Sequence, residues 1–155
     1  MVSHLPLLYG DLSAEENLRF YGRMYGIIEL EPRITEVLEM VGLENRRKDL
    51  IRTFSRGMQQ RLAIGRAVLH DLDVRLFDEP YTGLYQDASS MLDEVLKTVA
   101  AKGRTVVMTS HDLARAEELA TRFDILSRGV IAATVTHEEL QESNLLTFYK
   151  EALAG

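Results

Sequence analysis

Apolar residues recur at helical spacing in the first third of the chain, where they predict two consecutive helices. Ser13, followed three residues later by Glu16, forms a capping box that starts the first helix, and Gly26 ends it. The second helix begins near Pro32, which a first helical turn tolerates, and it ends at Gly42. The two apolar stripes consist of Leu18, Tyr21 and Tyr25, and of Ile34, Val37, Leu38 and Val41.

After residue 56 the pattern alternates between helices and short apolar strands. We expect helices over residues 57–70 and 88–100, a short helix capped by Asp112, and an amphipathic helix over residues 138–152. Apolar runs predict strands at residues 73–77, 105–108, 123–126 and 131–135. Strand–helix–strand alternation implies a parallel sheet, so the predicted fold class is α/β.

Composition and charge narrow the classes of function. The 155 residues include no cysteine, which excludes a disulfide scaffold and a zinc site built on thiolates. No run of about 18 apolar residues occurs, so we expect neither a membrane-spanning helix nor a secretion signal. The formal net charge of −6 argues against a broad electrostatic surface for nucleic acid, and we expect no nucleic-acid partner.

A candidate phosphate site lies at the start of the helix that follows residue 55. Ser55 precedes a helix that opens near Gly57, so its hydroxyl and the free amides of the first turn point to one spot. The positive end of the helix dipole favours an anion there. An isolated serine before a helix is more often only an N-cap. The polar run at residues 59–61 and the acidic pair further along the chain favour the phosphate interpretation.

Two adjacent carboxylates, Asp78 and Glu79, follow the strand predicted at residues 73–77. The carboxyl ends of parallel strands are where α/β sheets bind ligands. Because neighbouring residues on an extended chain point in opposite directions, we expect the two carboxylates to have different roles. The alternative is a pair of acids that only face solvent. Pro80 and the turn at residues 82–83 make that alternative the less favoured one.

The chain resembles the ATP-binding subunit of ABC transporters at five motifs. These are the signature loop at residues 54–59, the Walker B pair Asp78 and Glu79, the D-loop at residues 81–85, the H-loop at residues 109–112 and the Q-loop at residues 3–10. The P-loop pattern Gly-x-x-x-x-Gly-Lys-Ser/Thr is absent from the 155 residues, and none of the four lysines follows a glycine.

The resemblance implies an incomplete P-loop NTPase fold of the ABC ATPase type. Residues 6–56 would form a helical subdomain that ends in the signature loop. Residues 57–155 would carry the Walker B, D-loop and H-loop motifs and the C-terminal part, with a remnant of the parallel sheet. On this interpretation the chain begins after the place where its own P-loop would be.

The resemblance also assigns roles to residues and implies two cofactors, ATP and Mg²⁺. Asp78 would hold the magnesium ion, directly or through water, and Glu79 would polarise the water that attacks the γ-phosphate. His111 would reach the same phosphate group, although a lone histidine here would more often be an ordinary surface residue. The signature residues would bind a nucleotide held by a second subunit; they are Ser55, Arg56, Gly57, Met58 and Gln59.

Four positions depart from the family pattern. Leu5 stands where the Q-loop glutamine would contact magnesium and the attacking water, and a leucine can do neither. Tyr85 stands where the D-loop aspartate would order the opposite site of a pair. Arg56 replaces a signature glycine, a variant found in some exporter-type members. Arg75 puts a charge into an apolar strand, and we expect it to find a carboxylate or to face an edge.

The motifs also resemble one branch of the family more than others. Residues 8–21 and 78–84 look most like exporter-type subunits, especially the haem exporter ATPase of cytochrome c maturation. Membership implies a dimer with a second ABC ATPase subunit and contact with integral membrane permease subunits. It also implies a cytoplasmic position, peripheral on the inner face of the cell membrane.

Two functions stay open. The first is an ATP-hydrolysing export subunit, present here as a fragment without its P-loop and inactive by itself. The alternative is a non-catalytic module that donates its signature loop to an intact partner subunit. Leu5 and Tyr85 favour this alternative, because both depart from residues that support ATP hydrolysis in the family. Of the two, we favour the fragment.

Overall fold

The structure, a computed structural model, describes residues 7–142 and 144–154. It divides between Thr109 and Ser110 into two compact units, which are described separately. The subdomain boundary expected between residues 56 and 57 is a different division and stays a prediction. Leu5 lies outside the described residues.

The first unit has the alternation of helices and strands that the sequence predicts. Its elements are α1 (Ala14–Met24), α2 (Leu30–Met40), α3 (Arg56–Leu69), β1 (Val74–Asp78), α4 (Gln86–Ala101) and β2 (Thr105–Thr109). Short 3₁₀ turns at Glu44–Arg46 and Ile51–Thr53 connect α2 to α3. The capping box is confirmed: the Ser13 hydroxyl accepts a hydrogen bond from the Glu16 amide, and the Glu16 carboxylate accepts one from the Ser13 amide.

Helix α3 is buried on two sides. Its Leu62 and Leu69 belong to the core between α1, α2 and α3. Its Ile64 and Val68 belong to a second core, which α4 and Phe77 of β1 complete. Two separate cores therefore hold one helix in place.

Gly65 permits the close packing of α3 on α2. A Cβ atom at this position would lie 2.9 Å from the Val37 Cγ1 atom and 3.3 Å from a methyl group of Val41. Real Cβ atoms do not approach another heavy atom so closely, because protein interiors are already packed to the density of organic crystals. Glycine at this position therefore sets the distance between the two helices.

Strands β1 and β2 are parallel, as the sequence predicts, and pair in register from Val74 with Thr105 to Asp78 with Thr109. Phe77 is buried beneath the strand pair, whereas Leu76 on the opposite face is 69% exposed. The register brings the carboxyl ends of both strands to one edge, where Asp78 and Thr109 are direct neighbours.

Charged side chains form a network at the opposite end of β1. The guanidinium of Arg75, which is only 4% exposed, donates to the His70 carbonyl and to the Asp71 carboxylate, both at 3.1 Å. The expectation that Arg75 finds a carboxylate partner is thus confirmed. Arg104 also donates to Asp71, at 2.9 Å. The hydrogen bond from Arg104, together with that from Arg75, lowers the pKa of Asp71 to about 2.

The last carbonyl groups of α3 have arginine partners. Arg33 on α2 donates to the Leu69 carbonyl at 2.9 Å and also to the Val68 carbonyl. Arg75 donates a hydrogen bond to the carbonyl of His70, the residue that follows Leu69 and caps the helix. Cationic donors at a helix C-terminus satisfy carbonyls that have no partner within the helix, and they oppose the negative end of its dipole.

The second unit contains a strand hairpin between two helices. Its elements are α5 (Leu113–Leu119), β3 (Arg122–Ser127), β4 (Val130–Thr136) and α6 (Leu145–Ala154). Strands β3 and β4 are antiparallel, and the turn between them has positive φ at Arg128 and Gly129. Phe123, Val135, Leu140 and Leu145 form the core of this unit.

The prediction of one helix over residues 138–152 is wrong. A 3₁₀ turn at Glu139–Glu142 comes first, and α6 starts separately at Leu145. The Asn144 carboxamide oxygen accepts a hydrogen bond from the Thr147 amide at 2.9 Å, which is the interaction of a helix N-cap. This local cap explains why the segment begins a new helix.

Among the described residues, no helix combines the length and apolar character needed to cross a membrane.

We expect Gly65→Val to destabilise the first unit by about 1–3 kcal/mol, because the added methyl groups must displace Val37 from a filled core. Urea unfolding followed by circular dichroism measures the loss. Ala100→Val, at an exposed site in α4, is the control, with an expected change below about 0.7 kcal/mol. Equal effects of the two substitutions would contradict the packing argument.

Replacing Asp71 by asparagine should lower stability at pH 7 by roughly 1 kcal/mol, since the carboxylate is half exposed and its ion pairs are screened. The folded-state pKa of Asp71 is about 2, below the ordinary value of 3.8, so this stabilisation is complete above pH 3.8. It is lost as the pH falls from 3.8 towards 2. Urea unfolding of both proteins across this range should show their difference shrinking.

Asp11→Asn provides the matched control for this titration. Asp11 pairs with Arg52 at 3.2 Å, but its side chain is 91% exposed. Its replacement should therefore change stability little at any pH. A difference between the wild-type and Asp71→Asn proteins that stays constant down to pH 2 would contradict the assignment of the lowered pKa.

Candidate functional site

The start of α3 exposes the residues that the sequence singles out for phosphate binding. Ser55 is the N-cap of the helix, and its hydroxyl accepts a hydrogen bond from the Met58 amide at 3.2 Å. Ser55 and Arg56 are exposed, and the first turn contains no acidic residue. The turn is therefore open to an anion, and the N-cap role expected as the alternative is also present. Nucleotide binding by residues 55–59 stays a prediction.

The Walker B pair lies at the carboxyl end of β1, but its two residues have different backbones. Asp78 is the last residue of the strand, whereas Glu79 has a φ of 44°. Glu79 therefore leaves the extended conformation, and the argument that alternating strand residues point in opposite directions does not apply to it. A positive φ at a residue other than glycine is uncommon and requires support from its surroundings.

Thr109 at the end of β2 supplies part of this support. Its hydroxyl donates to the Asp78 carboxylate at 2.6 Å and accepts a hydrogen bond from the Glu79 amide at 3.0 Å. One side chain thus fixes both an oxygen of Asp78 and the backbone of Glu79. The H-loop motif drew attention to residues 109–112, but the sequence did not indicate this role for Thr109.

A compact turn connects Glu79 to α4. The Thr82 amide donates to the Glu79 carbonyl, and the Leu84 amide donates to the Tyr81 carbonyl, both at 3.1 Å. Gly83 supplies the positive φ of 75° that the turn requires. We call residues 79–85 the Walker turn.

Gln60 of α3 joins the Walker turn to the start of its own helix. The Gln60 side-chain amide donates to the Gly83 carbonyl at 2.5 Å, and its oxygen accepts from the Tyr85 amide at 3.3 Å. The Arg56 guanidinium lies 5.8 Å from the centre of the Tyr85 ring, within the range of a cation–π interaction. Sequence reasoning included Gln60 in a polar run but gave it no role.

His111 belongs to the second unit, where it is exposed and precedes Asp112, the N-cap of α5. The Asp112 carboxylate accepts from the Arg115 amide at 3.1 Å, as the sequence predicts for a helix cap. The role of His111 towards a phosphate stays a prediction.

Asp78 and Glu79 fit a magnesium ion that takes most of its ligands from nucleotide phosphates and water rather than from the protein. Among the described residues no group of three or more His, Cys, Asp or Glu side chains could hold a metal ion. Mg²⁺ is usually bound through one or two carboxylates, together with substrate phosphates and water. Asp78 is exposed and offers hard oxygen atoms of this kind.

Residues 1–82 match the model of the family described as "ABC transporter". A solved structure titled "Structure of ATP binding subunit of ABC transporter" is similar with a TM-score of 0.82 and 32% sequence identity. The similarity covers 98% of this chain and 67% of that chain. It confirms the predicted fold class, which is α/β and corresponds to part of an ABC-type P-loop NTPase fold.

Similar curated proteins are ATP-binding proteins of bacteria. The linearmycin resistance ATP-binding protein LnrL of Bacillus subtilis is 41% identical over 86% of this chain. Nod factor export ATP-binding protein I of Cupriavidus pinatubonensis is 36% identical over 87%. A fluoroquinolones export ATP-binding protein of Mycobacterium tuberculosis is 34% identical over 88%. The chain spans 43%, 42% and 45% of the lengths of these relatives.

Thr109→Val should destabilise the first unit by about 1 kcal/mol, because both hydrogen bonds of the hydroxyl are lost. It should also shift the Glu79 amide resonance in a ¹⁵N NMR spectrum. Thr109→Ser keeps the hydroxyl and should restore both properties. Thr105→Val, on the same face of β2, is the control, and an equal effect there would contradict the role of Thr109.

Proposed function

Because the chain belongs to the ABC transporter family, we propose that it forms part of an ATP-binding subunit that couples ATP binding and hydrolysis to export. We call residues 55–59, at the start of α3, the signature turn. The observation that carries the proposal is that Gln60, the next residue, joins this turn to the Walker turn. The turn proposed to bind phosphate is thereby held beside the turn that begins at Glu79 and directly follows Asp78 in the first unit.

The two turns would serve different nucleotides. Ser55 and the amides of the first turn of α3 would bind the phosphates of an ATP molecule held by the P-loop of a second subunit. Asp78 and Glu79 would act on the nucleotide of their own subunit. Asp78 would hold magnesium, whose charge neutralises the phosphates, and Glu79 would accept a proton from the attacking water. His111 would contact the γ-phosphate of the same nucleotide.

The partners proposed from this assignment are a second ABC ATPase subunit and integral membrane permease subunits. Dimerisation follows from the division of each site between a P-loop and a signature turn. Contact with a permease would place the subunit at the inner face of the cell membrane, on the cytoplasmic side. The motifs support the division of the site, and the membership of the family supports the permease.

The transported molecule is proposed only as a class. The names of the three relatives refer to linearmycin, Nod factor and fluoroquinolones, which supports export of an organic molecule. None of the three names refers to haem. Haem export therefore stays a prediction that rests on the resemblance of residues 8–21 and 78–84.

A second candidate is a module that donates its signature turn and performs no chemistry. Tyr85 favours it, because an aromatic ring that packs against Arg56 occupies the place of the D-loop aspartate. The two candidates differ in whether Glu79 is needed, whereas both need Ser55.

We expect this polypeptide alone to have no enzyme-like ATP turnover. P-loop amides and the P-loop lysine hold the β- and γ-phosphates in this fold, and nothing in the 155 residues replaces them. Phosphate release from magnesium–ATP measures this directly. Hydrolysis that requires magnesium and disappears in Glu79→Gln would refute the expectation.

The chain should form a nucleotide-dependent complex with an intact relative that has its own P-loop, for which LnrL is a candidate. Ser55→Arg should weaken this complex at least about tenfold, since it removes a hydrogen-bonding hydroxyl and fills the anion site. Analytical ultracentrifugation with and without magnesium–ATP measures the association.

The matched control for this experiment is Thr53→Arg. Thr53 is exposed two residues before Ser55, and its hydroxyl donates to the Leu50 carbonyl rather than to the signature turn. The substitution adds the same charge near the same helix. A complex that forms without ATP, or that both variants weaken equally, would contradict the division of the site between two subunits.

A further inference from the structure

We propose that Gln60 is a positioning residue that couples the state of the signature turn to the backbone of Glu79. The inference rests on the proposed function, since it concerns the two turns that would serve two different nucleotides. It names a residue outside the signature, Walker B, D-loop and H-loop motifs.

The hydrogen bonds of Gln60 are of the kind made by a peptide group. Its NH₂ group meets a backbone carbonyl, at Gly83, and its oxygen meets a backbone amide two residues later, at Tyr85. Reversing the side-chain amide would set an NH₂ group against the Tyr85 amide and an oxygen against the Gly83 carbonyl. The orientation of the Gln60 amide is thus fixed, and only a side chain with both a donor and an acceptor can make both bonds at this position.

The Walker turn transmits this restraint to Glu79. The Leu84 amide is bonded to the Tyr81 carbonyl, and the Thr82 amide is bonded to the Glu79 carbonyl. From the other side, the Thr109 hydroxyl holds the Glu79 amide. Glu79 therefore keeps its left-handed backbone between two supports, one from β2 and one that leads back to α3.

Arg56 gives the signature turn a means to change this support. Its guanidinium faces the Tyr85 ring at 5.8 Å, while Ser55 lies next to it in sequence. A phosphate bound at Ser55 would attract the guanidinium, because a charge-assisted bond to phosphate is stronger than an exposed cation–π contact. Tyr85 would then lose its contact with Arg56 but keep the hydrogen bond from its amide to Gln60.

In the proposed dimer, Gln60 thus lies between the signature turn, which would contact the partner's nucleotide, and the Walker turn, which would contact the nucleotide of its own subunit. Occupancy of the partner's nucleotide site would reach Glu79, which acts on the nucleotide of its own subunit, through one side chain. A coupling of this kind is a free energy shared by two sites, and a double-mutant cycle measures it.

The test uses ¹⁵N NMR spectra of the whole chain and needs no nucleotide. Ser55→Gly alters the signature turn and should shift the Glu79 and Thr82 amide resonances. In the presence of Gln60→Leu these shifts should fall to less than about a third of their size. Gln86→Leu, an exposed glutamine at the start of α4, is the matched control and should leave the shifts unchanged.

Hydrogen exchange provides a second measurement. In Gln60→Leu the Tyr85 amide should exchange about tenfold faster than in the wild-type protein, because it has lost its acceptor. Gln60→Glu retains an acceptor and should increase the rate less. The proposal is overturned if Gln60→Leu leaves both the Tyr85 exchange rate and the transmitted shifts at their wild-type values.

Titration with magnesium–ATP in the presence of an intact relative that has its own P-loop separates this proposal from the proposed function. Shifts at residues 56–58 report on binding at the signature turn, and shifts at Glu79 and Thr82 report on coupling. Binding shifts that persist in Gln60→Leu while the coupling shifts decrease support the role of Gln60. An absence of shifts at residues 56–58 in the wild-type protein would count against nucleotide binding, and the nucleotide-free cycle would still decide the role of Gln60.

Discussion

The first unit depends on the burial of α3 on two sides. Leu62 and Leu69 pack into one core while Ile64 and Val68 pack into the other, so the helix can neither rotate nor slide without exposing an apolar side chain. Gly65 removes the remaining freedom, because the backbone of α3 approaches Val37 too closely for any larger residue. A helix fixed in this way is a rigid base for the polar groups at its first turn.

The candidate site follows from that rigid helix and from the register of two parallel strands. Register places Thr109 beside Asp78, and the fixed position of α3 places Gln60 beside the Walker turn. Each contact joins a side chain to backbone or carboxylate atoms that the core has already positioned. The cores thus supply most of the stability, and these hydrogen bonds add local order at the groups that would meet a nucleotide.

The sequence predicts the helices, the parallel strand pair and the Ser55 cap, because each has a local signal in periodicity or capping residues. It does not predict Gln60 or Thr109 as supports, since their contacts join residues 23–31 positions apart and depend on tertiary packing. The left-handed backbone of Glu79 has no signal either, because glutamate rarely adopts it. The helix expected over residues 138–152 failed at Asn144, where a cap was read as helix interior.

The arginines at the C-terminus of α3 have an electrostatic consequence for its opposite end. Arg33 and Arg75 compensate the partial negative charge of the last carbonyls, whereas no acidic residue compensates the amides of the first turn. The backbone amides of the first turn and the Arg56 guanidinium are therefore the groups that would attract an anion to Ser55. Attraction of an anion to this turn should weaken with ionic strength, over a screening length of about 8 Å at physiological salt.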